Sequence, residues 1–497
     1  MFIFEYDFSL LFSFGSLTAI VAGTFLGIVV GALPGLGPTV GCALLIPLTY
    51  TMSPIPAVLL LVSLYMAAEY GGSISSIVLG VPGTAAAVAT ILDGNTLAKQ
   101  GFPGKALAYS LYSSSSGGLI GCVLLTTLTI PLMQITIKFS DPELFLIAML
   151  GIVSIVTLGS EDVPKSVVSV AIGILLTSIG MDVLTGTQRY TFGSISLMDG
   201  VALVPVFTGL FALSEVLDMA CGDLGHQTVK KRENLKVSLS LKEYRSVGKN
   251  IVQGAFIGTF AGIIPGMGAS PAAWLSYTNA KRVSKNPELF GKGSPEGISA
   301  PEAANNACVG GALVPLLTLG IPGSSTIAII SSALMMQGIQ PGPNLLNQNL
   351  DLVHSVFLGL FLAVVLMFFV GKYLTTLFAR LLVIPNYILA TIIFTISFIG
   401  AYAARCSMMD VWIAIIAGVV GYFMKKLKFS TPGFVLAFVL GAMIEKNFRR
   451  SLMLSQGSYM IFVERPIALV FLILNVLMVV SIFWGRSRKK KQAAGQA

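Results

Sequence analysis

Apolar segments long enough to cross a lipid bilayer, about 20 residues each, recur along almost the whole chain. The stretch from Phe8 to Leu92 contains one charged side chain, Glu69, and the longest polar interruption is the run at residues 222–250. Because backbone in lipid must satisfy its hydrogen bonds internally, such segments are expected to be helices. The pattern therefore predicts an all-α polytopic membrane protein of about 10 to 14 membrane segments.

Composition supports this interpretation and excludes other classes of protein. Of 497 residues, 11% are charged and 55% are hydrophobic, whereas a soluble domain carries about 25% charged residues. The net charge of +9 comes from short basic runs between apolar segments, which is typical of topology signals and not of a nucleic-acid interface. The five cysteines show no CxxC spacing, so no disulfide framework or structural metal site is expected.

The charged runs divide the chain into four parts. We predict a first membrane half at residues 1–221, a basic linker at 222–250, a second membrane half at 251–485 and a basic tail at 486–497. By the positive-inside rule, the linker and the tail lie in the cytoplasm. The first Lys or Arg of the chain is Lys99, so the amino terminus is expected in the periplasm and the carboxy terminus in the cytoplasm.

The two halves contain an internal repeat. GTFLGIVVGALPGLG at residues 23–37 matches GAFIGTFAGIIPGMG at residues 254–268. The matched glycines and prolines are Gly23, Gly27, Gly31, Pro34, Gly35 and Gly37 in the first copy, and Gly254, Gly258, Gly262, Pro265, Gly266 and Gly268 in the second. LGVPGT at residues 79–84 likewise matches LGIPGS at residues 319–324. The sequence thus predicts two repeat cores, at about 23–110 and 254–346.

The charges that flank the two copies have opposite signs. The first copy follows an acidic start and is followed by Lys99 and Lys105, whereas the second follows the basic linker and ends in uncharged sequence. This difference predicts inverted repeats. Residues 251–280 are bounded by basic residues on both sides, so we expect a re-entrant hairpin with its tip at Pro265 to Gly268.

Each copy contains two breaks in otherwise apolar helices. They lie at 34–38, 82–84, 265–270 and 322–325. Proline and glycine interrupt helices. Backbone groups left unpaired in the membrane are tolerated only where they contact other protein or a water-filled cavity. Glycine in membrane helices can also serve close helix packing alone. Four breaks in matched pairs favour a substrate site. The predicted substrate-binding residues are Pro34, Gly35, Gly37, Thr39, Gly83, Thr84, Pro265, Gly266, Gly268, Ser270, Gly323, Ser324 and Ser325.

The break segments contain no Lys or Arg, so a bound anion would depend on helix N-termini and on a co-bound cation. Glu69 is a lone acid in an apolar span, which favours a functional role. The predicted ion-coupling residues are Glu69, Asn305, Asn306 and Glu302, although Glu302 also suits a helix's first turn. Sodium at the same loops is the expected coupling ion, with a proton as the alternative, and no other cofactor is expected.

Four motifs together resemble one family. They are GALPGLGPTVGCALLIPLT (31–49), EYGGSISSIVLGVPG (69–83), GIIPGMGASPAAWLSY (262–277) and PEAANNACVGGALVPLLTLGIPGSS (301–325). They are similar to the large membrane subunit of the bacterial tripartite tricarboxylate transporters. The resemblance implies an inner-membrane permease that works with a small four-span membrane subunit and a periplasmic solute-binding protein. It further implies import of citrate or a related di- or monocarboxylate with a sodium or proton gradient.

Two other classes of protein fit the sequence less well. A passive anion channel would line its pore with rings of like residues, which two unlike-flanked repeats do not suggest. An intramembrane enzyme would need a nucleophile beside a base or paired acids, and the sequence has neither HExxH nor such a pair. Among transport motions, rocking and vertical sliding of the repeat cores both fit.

Overall fold

The structure, a computed structural model, describes residues 7–158, 162–182, 184–221, 237–381 and 386–494. These residues are almost entirely helical, with one small antiparallel pair of strands, β1 (Gly180–Met181) and β2 (Gln188–Arg189). The prediction of an all-α fold is confirmed.

The first half of the chain forms ten helical elements in its described part. They are α1 (Phe8–Leu11), α2 (Phe14–Ala32), α3 (Gly37–Thr49), α4 (Pro54–Val78), α5 (Val88–Lys99), α6 (Pro103–Thr136), α7 (Asp141–Leu158), α8 (Val163–Thr177), α9 (Leu203–Phe207) and α10 (Ser214–Cys221). A π-helical turn at Thr208–Leu213 joins α9 to α10, and a short 3₁₀ turn lies at Ile195–Leu197.

The second half forms eleven helical elements in its described part. Its elements are α11 (Leu241–Ile263), α12 (Ala269–Val283), α13 (Pro295–Leu319), α14 (Ser325–Met336), α15 (Leu345–Gln348), α16 (Leu350–Leu381), α17 (Asn386–Arg405), α18 (Met408–Lys426), α19 (Thr431–Leu454), α20 (Ile461–Glu464) and α21 (Pro466–Ala494), with a 3₁₀ turn at Pro287–Leu289. Residues 222–236 of the predicted linker lie outside the described residues, and the linker's last residues already belong to α11.

Seven helices among the described residues are long and apolar enough to cross a membrane. They are Phe14–Ala32, Pro54–Val78, Pro103–Thr136, Leu203–Cys221, Leu350–Thr375, Tyr387–Arg405 and Met408–Lys426. Shorter apolar helices accompany them at Gly37–Thr49, Val163–Thr177, Ser325–Met336 and Pro466–Val480. The chain is therefore a polytopic membrane protein, as predicted.

The two copies are built alike. In each, a broken helical hairpin (α2–α3 or α11–α12) precedes a helix of 25 residues (α4 or α13), a second break and a helix of 12 residues (α5 or α14). The predicted hairpin with its tip near Pro265 corresponds to α11 and α12. Both long helices are buried along almost their whole length, so the centre of the fold is the pair α4 and α13.

Matched glycines explain how closely the helices of each copy pack. On α2 and α11 they lie directly over backbone carbonyls of α4 and α13, where an added Cβ would overlap the carbonyl oxygen. The contacting pairs are Gly23 with Leu60, Gly27 with Leu64, Gly31 with Ala68, Gly254 with Ala300, Gly258 with Ala304 and Gly262 with Cys308. The repeat is thus preserved as backbone packing, not only as sequence.

Contacts between helix ends show that the copies run in opposite directions. Gln337, at the end of α14, donates to the carbonyl of Thr49 at the end of α3 (2.7 Å), so both helices end at one face of the molecule, called face A. Gln100, at the end of α5, donates to the carbonyl of Lys292 just before α13 (2.9 Å), which defines the opposite face B. Helix α4 therefore starts at face A and α13 at face B, as expected for inverted repeats.

Outside the repeat cores, helices of each half pack against helices of the other half. Helix α19 packs on α7 and α8, while α9 and α10 pack on α17 and α18. Helix α11 begins at face B, where Glu243 pairs with Lys105 at the start of α6 (2.7 Å). Arg465, just before α21, pairs with Glu143 in the first turn of α7. Helix α21 then lies along α7 toward face B. The described end of the linker, at the start of α11, and the carboxy-terminal end of α21 therefore lie toward the same face.

Candidate functional site

All four predicted breaks fall between helices. They occupy residues 33–36, 79–87, 264–268 and 320–324. The hairpin tips are made by paired glycines with positive φ, Gly35 (+89°) and Gly37 (+59°) in the first copy and Gly266 (+80°) and Gly268 (+67°) in the second. Only glycine adopts this conformation without strain, which explains why PGLG and PGMG recur at these positions.

The second break of each copy packs under the hairpin of the same copy. Gly83 and Gly323 lie so close to the carbonyls of Gly31 and Gly262, respectively, that neither tolerates a side chain. The amide of Gly266 also donates to the carbonyl of Gly323 (2.9 Å). Each copy therefore presents its two breaks as one unit.

The two units meet around one cavity of about 690 Å³. The hydroxyls of Thr39 and Thr326 are hydrogen-bonded to each other across the two copies (2.8 Å), and Ser270 donates to the carbonyl of Ala85 (3.1 Å). The predicted residues that line the cavity are Gly35, Gly37, Thr39, Glu69, Gly83, Thr84, Gly266, Gly268, Ser270, Ser324 and Ser325. The sequence thus identified residues that the fold brings together from both copies.

Four helices begin at this cavity. They are α3, α5, α12 and α14, each of at least 12 residues. Residues from the first turn or the cap of α3, α12 and α14 line the cavity, as do Ala85 and Ala86 just before the cap of α5. The N-terminus of a helix carries about half a positive charge because its first N–H groups lack intrahelical acceptors. Four such ends turned toward one space make it attractive to an anion.

Comparison with known proteins agrees with the architecture. The model of the tripartite tricarboxylate transporter TctA family matches residues 17–436. The chain belongs to this family. A protein of Agrobacterium vitis described as an uncharacterized 52.8 kDa protein in the TAR-I ttuC' 3' region is 34% identical over 469 residues, covering 94% of this chain and 93% of that protein. A second A. vitis protein, from the TAR-II ttuC' 3' region, is 34% identical over 234 residues, covering 47% of this chain and 97% of its own length.

No solved structure matches this member of the TctA family. Its membership confirms the predicted resemblance to the tripartite tricarboxylate transporters, a family of transporters. The matched region, residues 17–436, contains both repeat cores and all four breaks. The cavity between the breaks is therefore a feature of the part of the chain that defines the family.

Some predicted residues of this TctA-family chain do not line the cavity. Pro265 lines a separate apolar cavity of about 430 Å³, where its carbonyl accepts a hydrogen bond from Ser154. Pro34 and Gly323 shape their breaks without facing the central cavity. Asn305, Asn306 and Glu302 also lie behind its wall. Pro34, Pro265 and Gly323 therefore act through the backbone, while the other predicted glycines and hydroxyl residues of the breaks form the cavity surface.

Glu69 lies on α4 at the cavity wall, 4% exposed. Its Oε2 atom has no hydrogen-bond partner among the described residues, and neither does Oδ1 of Asn305. Asn305 donates to the backbone carbonyl of Glu69 (3.3 Å), and the side chains of Thr84 and Asn305 adjoin its carboxyl group. Buried oxygens without donors are suited to bind a small cation or to carry a proton.

Glu302 has the opposite surroundings. It is fully buried on α13, and its carboxylate accepts hydrogen bonds from four hydroxyl groups. The donors are Ser73 (2.5 Å), Thr90, Ser110 (2.9 Å) and Ser114 (2.8 Å). These bonds tie α13 to α4, α5 and α6. Asn306 is similarly engaged, because its amide donates to the carbonyl of Met66 (3.0 Å).

Two charged residues of the cavity wall were missed by sequence reasoning. Glu215 on α10 and Lys425 on α18 both line the cavity and are paired with each other (2.8 Å). They lie far from the breaks in sequence, and each sits near a helix end, where charged residues are common. A single sequence holds no signal that would have connected them to the breaks.

Proposed function

We propose that this chain is the large membrane subunit of a binding-protein-dependent secondary transporter that imports a carboxylate by ion-coupled symport. The supporting observation is the convergence of four helix N-termini, from two inverted copies, on one cavity of about 690 Å³. Carboxylate groups accept hydrogen bonds from such N–H groups and from the hydroxyls of Thr39, Ser270 and Ser324. A tricarboxylate such as citrate, or a related di- or monocarboxylate, fits this chemistry.

The coupling ion in this proposal is Na⁺, with H⁺ as the alternative. A buried carboxylate is costly unless it is paired or protonated, and Glu69 and Asn305 each offer an oxygen that lacks a donor. The described residues contain no group of three or more His, Cys, Asp or Glu side chains able to hold a metal ion. A sodium site here would therefore combine Glu69 with neutral oxygens, which suits a weakly held ion.

The proposed setting is the bacterial inner membrane. Face B adjoins the basic linker and tail, so we place it in the cytoplasm and the amino terminus in the periplasm. Two partners complete the system, a small four-span membrane subunit and a periplasmic solute-binding protein that delivers the substrate. Family membership supports a tripartite arrangement of this kind.

Uptake in vesicles that contain this chain, the small subunit and the binding protein tests the proposal. A panel of tri-, di- and monocarboxylates is offered while Na⁺ and pH gradients are imposed separately. Accumulation against a concentration gradient that requires one ion gradient is expected. Downhill uptake that persists after both gradients are collapsed would instead identify a passive anion channel, and hydrolysis by purified protein would identify an enzyme.

Bulky substitutions at the breaks test where the substrate binds. Ser270→Trp and Ser324→Trp fill the cavity and are expected to abolish uptake while the protein remains in the membrane. Ser246→Trp, at an exposed position of α11, is the matched control and should leave uptake unchanged. Normal uptake by both cavity variants would move the substrate site away from these loops.

A further inference from the structure

Lys425 brings a positive charge to the cavity. It is the only Lys or Arg among the described residues that line this space. Its ammonium group pairs with Glu215 (2.8 Å) and Asp218 (2.6 Å), both on α10. The side chain of Lys425 is 48% exposed, whereas that of Glu215 is 10% exposed. Lys425 is therefore the accessible member of its ion pair with Glu215, and Glu215 is the buried one.

The carboxylate of Glu215 lies against the tip of the first break. Its Oε1 atom contacts Gly35 so closely that a Cβ at this glycine would overlap it. Its Oε2 atom accepts the hydrogen bond from Lys425 (2.8 Å). A carboxylate group is thus already positioned between the hairpin tip that precedes α3 and the ammonium group.

We propose that Glu215 marks a subsite for a second carboxylate group of the substrate, and that Lys425 is the residue that selects substrates carrying one. This inference rests on the proposed import of carboxylates. The helix N-termini at the breaks hold one carboxylate, and a second displaces Glu215 from Lys425. The preferred substrates are then di- and tricarboxylates, and monocarboxylates bind more weakly.

The charged residues of the cavity wall explain why a substrate with a single carboxylate binds more weakly. The charged residues that line the cavity are Glu69, Glu215 and Lys425. While Lys425 remains paired with Glu215 and Asp218, it offers little attraction to a distant anion. A second carboxylate within reach competes directly for the ammonium group, and one charge-assisted hydrogen bond changes affinity by about 10- to 150-fold.

The position of Lys425 also assigns it to one side of the cavity. Helix α18 begins near Tyr50, whose hydroxyl contacts Met336 at face A, so Lys425 in its last turn lies toward face B. This is the cytoplasmic side in the proposed orientation. The second carboxylate subsite is therefore on the side from which imported substrate leaves.

Binding of citrate, glutarate and butyrate to the purified full-length chain tests the inference, with uptake in the vesicle system as a second readout. The variants are Lys425→Gln, Lys425→Arg, Glu215→Gln and the matched control Lys426→Gln, since Lys426 lies next along α18 but does not line the cavity. Wild type should bind citrate and glutarate more tightly than butyrate. Lys425→Gln should weaken the binding of citrate and of glutarate at least about tenfold. Its affinity for butyrate should stay within about twofold of the wild-type value.

Three further outcomes complete the test. Lys425→Arg should retain part of the preference for citrate, and Glu215→Gln should strengthen citrate binding because a competitor is removed. Equal weakening of all three acids by Lys425→Gln, in protein that elutes as wild type on gel filtration, would show a merely structural ion pair and overturn the inference. Wild-type protein that neither binds nor transports any of the acids would instead contradict the proposed function itself.

Discussion

Glu69 and Glu302 are two buried acids with similar sequence contexts and different surroundings. Each lies in an apolar segment shortly before the second break of its copy. Glu69 faces the cavity and keeps an oxygen without a donor, whereas Glu302 is enclosed by four hydroxyl groups behind the cavity wall. The comparison indicates that unfilled hydrogen-bonding capacity, not burial, distinguishes an acid that can bind an ion from one that joins helices.

The largest expected effect is the loss of ion-driven uptake in Glu69→Gln. This change removes the charge while keeping the shape of the side chain. In the proposed site the partner of that charge is the bound Na⁺, and removing one member of a buried ion pair costs about 3 kcal/mol or more. We expect accumulation in vesicles to fall at least about 100-fold, with wild-type amounts of folded protein. Glu288→Gln, at an exposed position near face B, is the control. Sodium-dependent uptake by Glu69→Gln would remove Glu69 from the coupling site.

Glu302→Gln should act on stability instead. The amide leaves four hydroxyl donors with one weaker acceptor, so the free energy of unfolding is expected to fall by about 2 to 4 kcal/mol. Thermal unfolding in detergent measures this loss. The folded fraction should keep the wild-type concentration of Na⁺ for half-maximal uptake. A stable variant that has lost its response to Na⁺ would reverse the roles assigned to the two acids.

The sequence predicted the parts of the site that depend on local backbone chemistry. Gly35, Gly37, Gly266 and Gly268 stand out because a tight turn with positive φ between two apolar helices favours glycine. The internal repeat then indicated which breaks correspond to each other. The opposite charges that flank the two copies predicted that the copies are inverted. The hairpin around Pro265 followed from basic residues on both of its sides.

The sequence could not separate packing from binding. Gly23, Gly27 and Gly31 belong to the same repeated motif as Gly35, yet they serve the contact between α2 and α4. Nor could it show that α10 and α18 bring Glu215 and Lys425 to the cavity, because this depends on the exchange of outer helices between the halves. Glu302 shows the same limit, since its hydroxyl partners come from three other helices.

Two adjacent asparagines sharpen the comparison further. Both donate to a backbone carbonyl of α4, and both keep an oxygen without a donor in the described structure. Only Asn305 adjoins the carboxyl group of Glu69. Asn305→Ala should raise the Na⁺ concentration for half-maximal uptake by about tenfold, as expected for loss of one charge-assisted contact. Asn306→Ala should leave that concentration within about twofold and lower the thermal stability. The reverse result would place the ion beside Asn306.

The smallest expected effect concerns one hydroxyl of the group around Glu302. Ser114 donates to its carboxylate (2.8 Å), whereas the neighbouring Ser113 is buried without a hydrogen-bond partner in the described structure. Ser114→Ala should lower the free energy of unfolding by about 1.5 kcal/mol, because it removes one of four bonds to a charged acceptor. Ser113→Ala removes no such bond and should be neutral or slightly stabilising.

Neither serine variant should alter the Na⁺ dependence of uptake, because neither residue lines the cavity. Thermal unfolding of the two proteins side by side therefore measures the hydroxyl group's bond to Glu302 apart from any effect on transport. Equal stability of the two variants would mean that Glu302 does not need its full set of donors. In that case its carboxylate would have spare hydrogen-bonding capacity like that of Glu69, and the distinction between the two acids would fail.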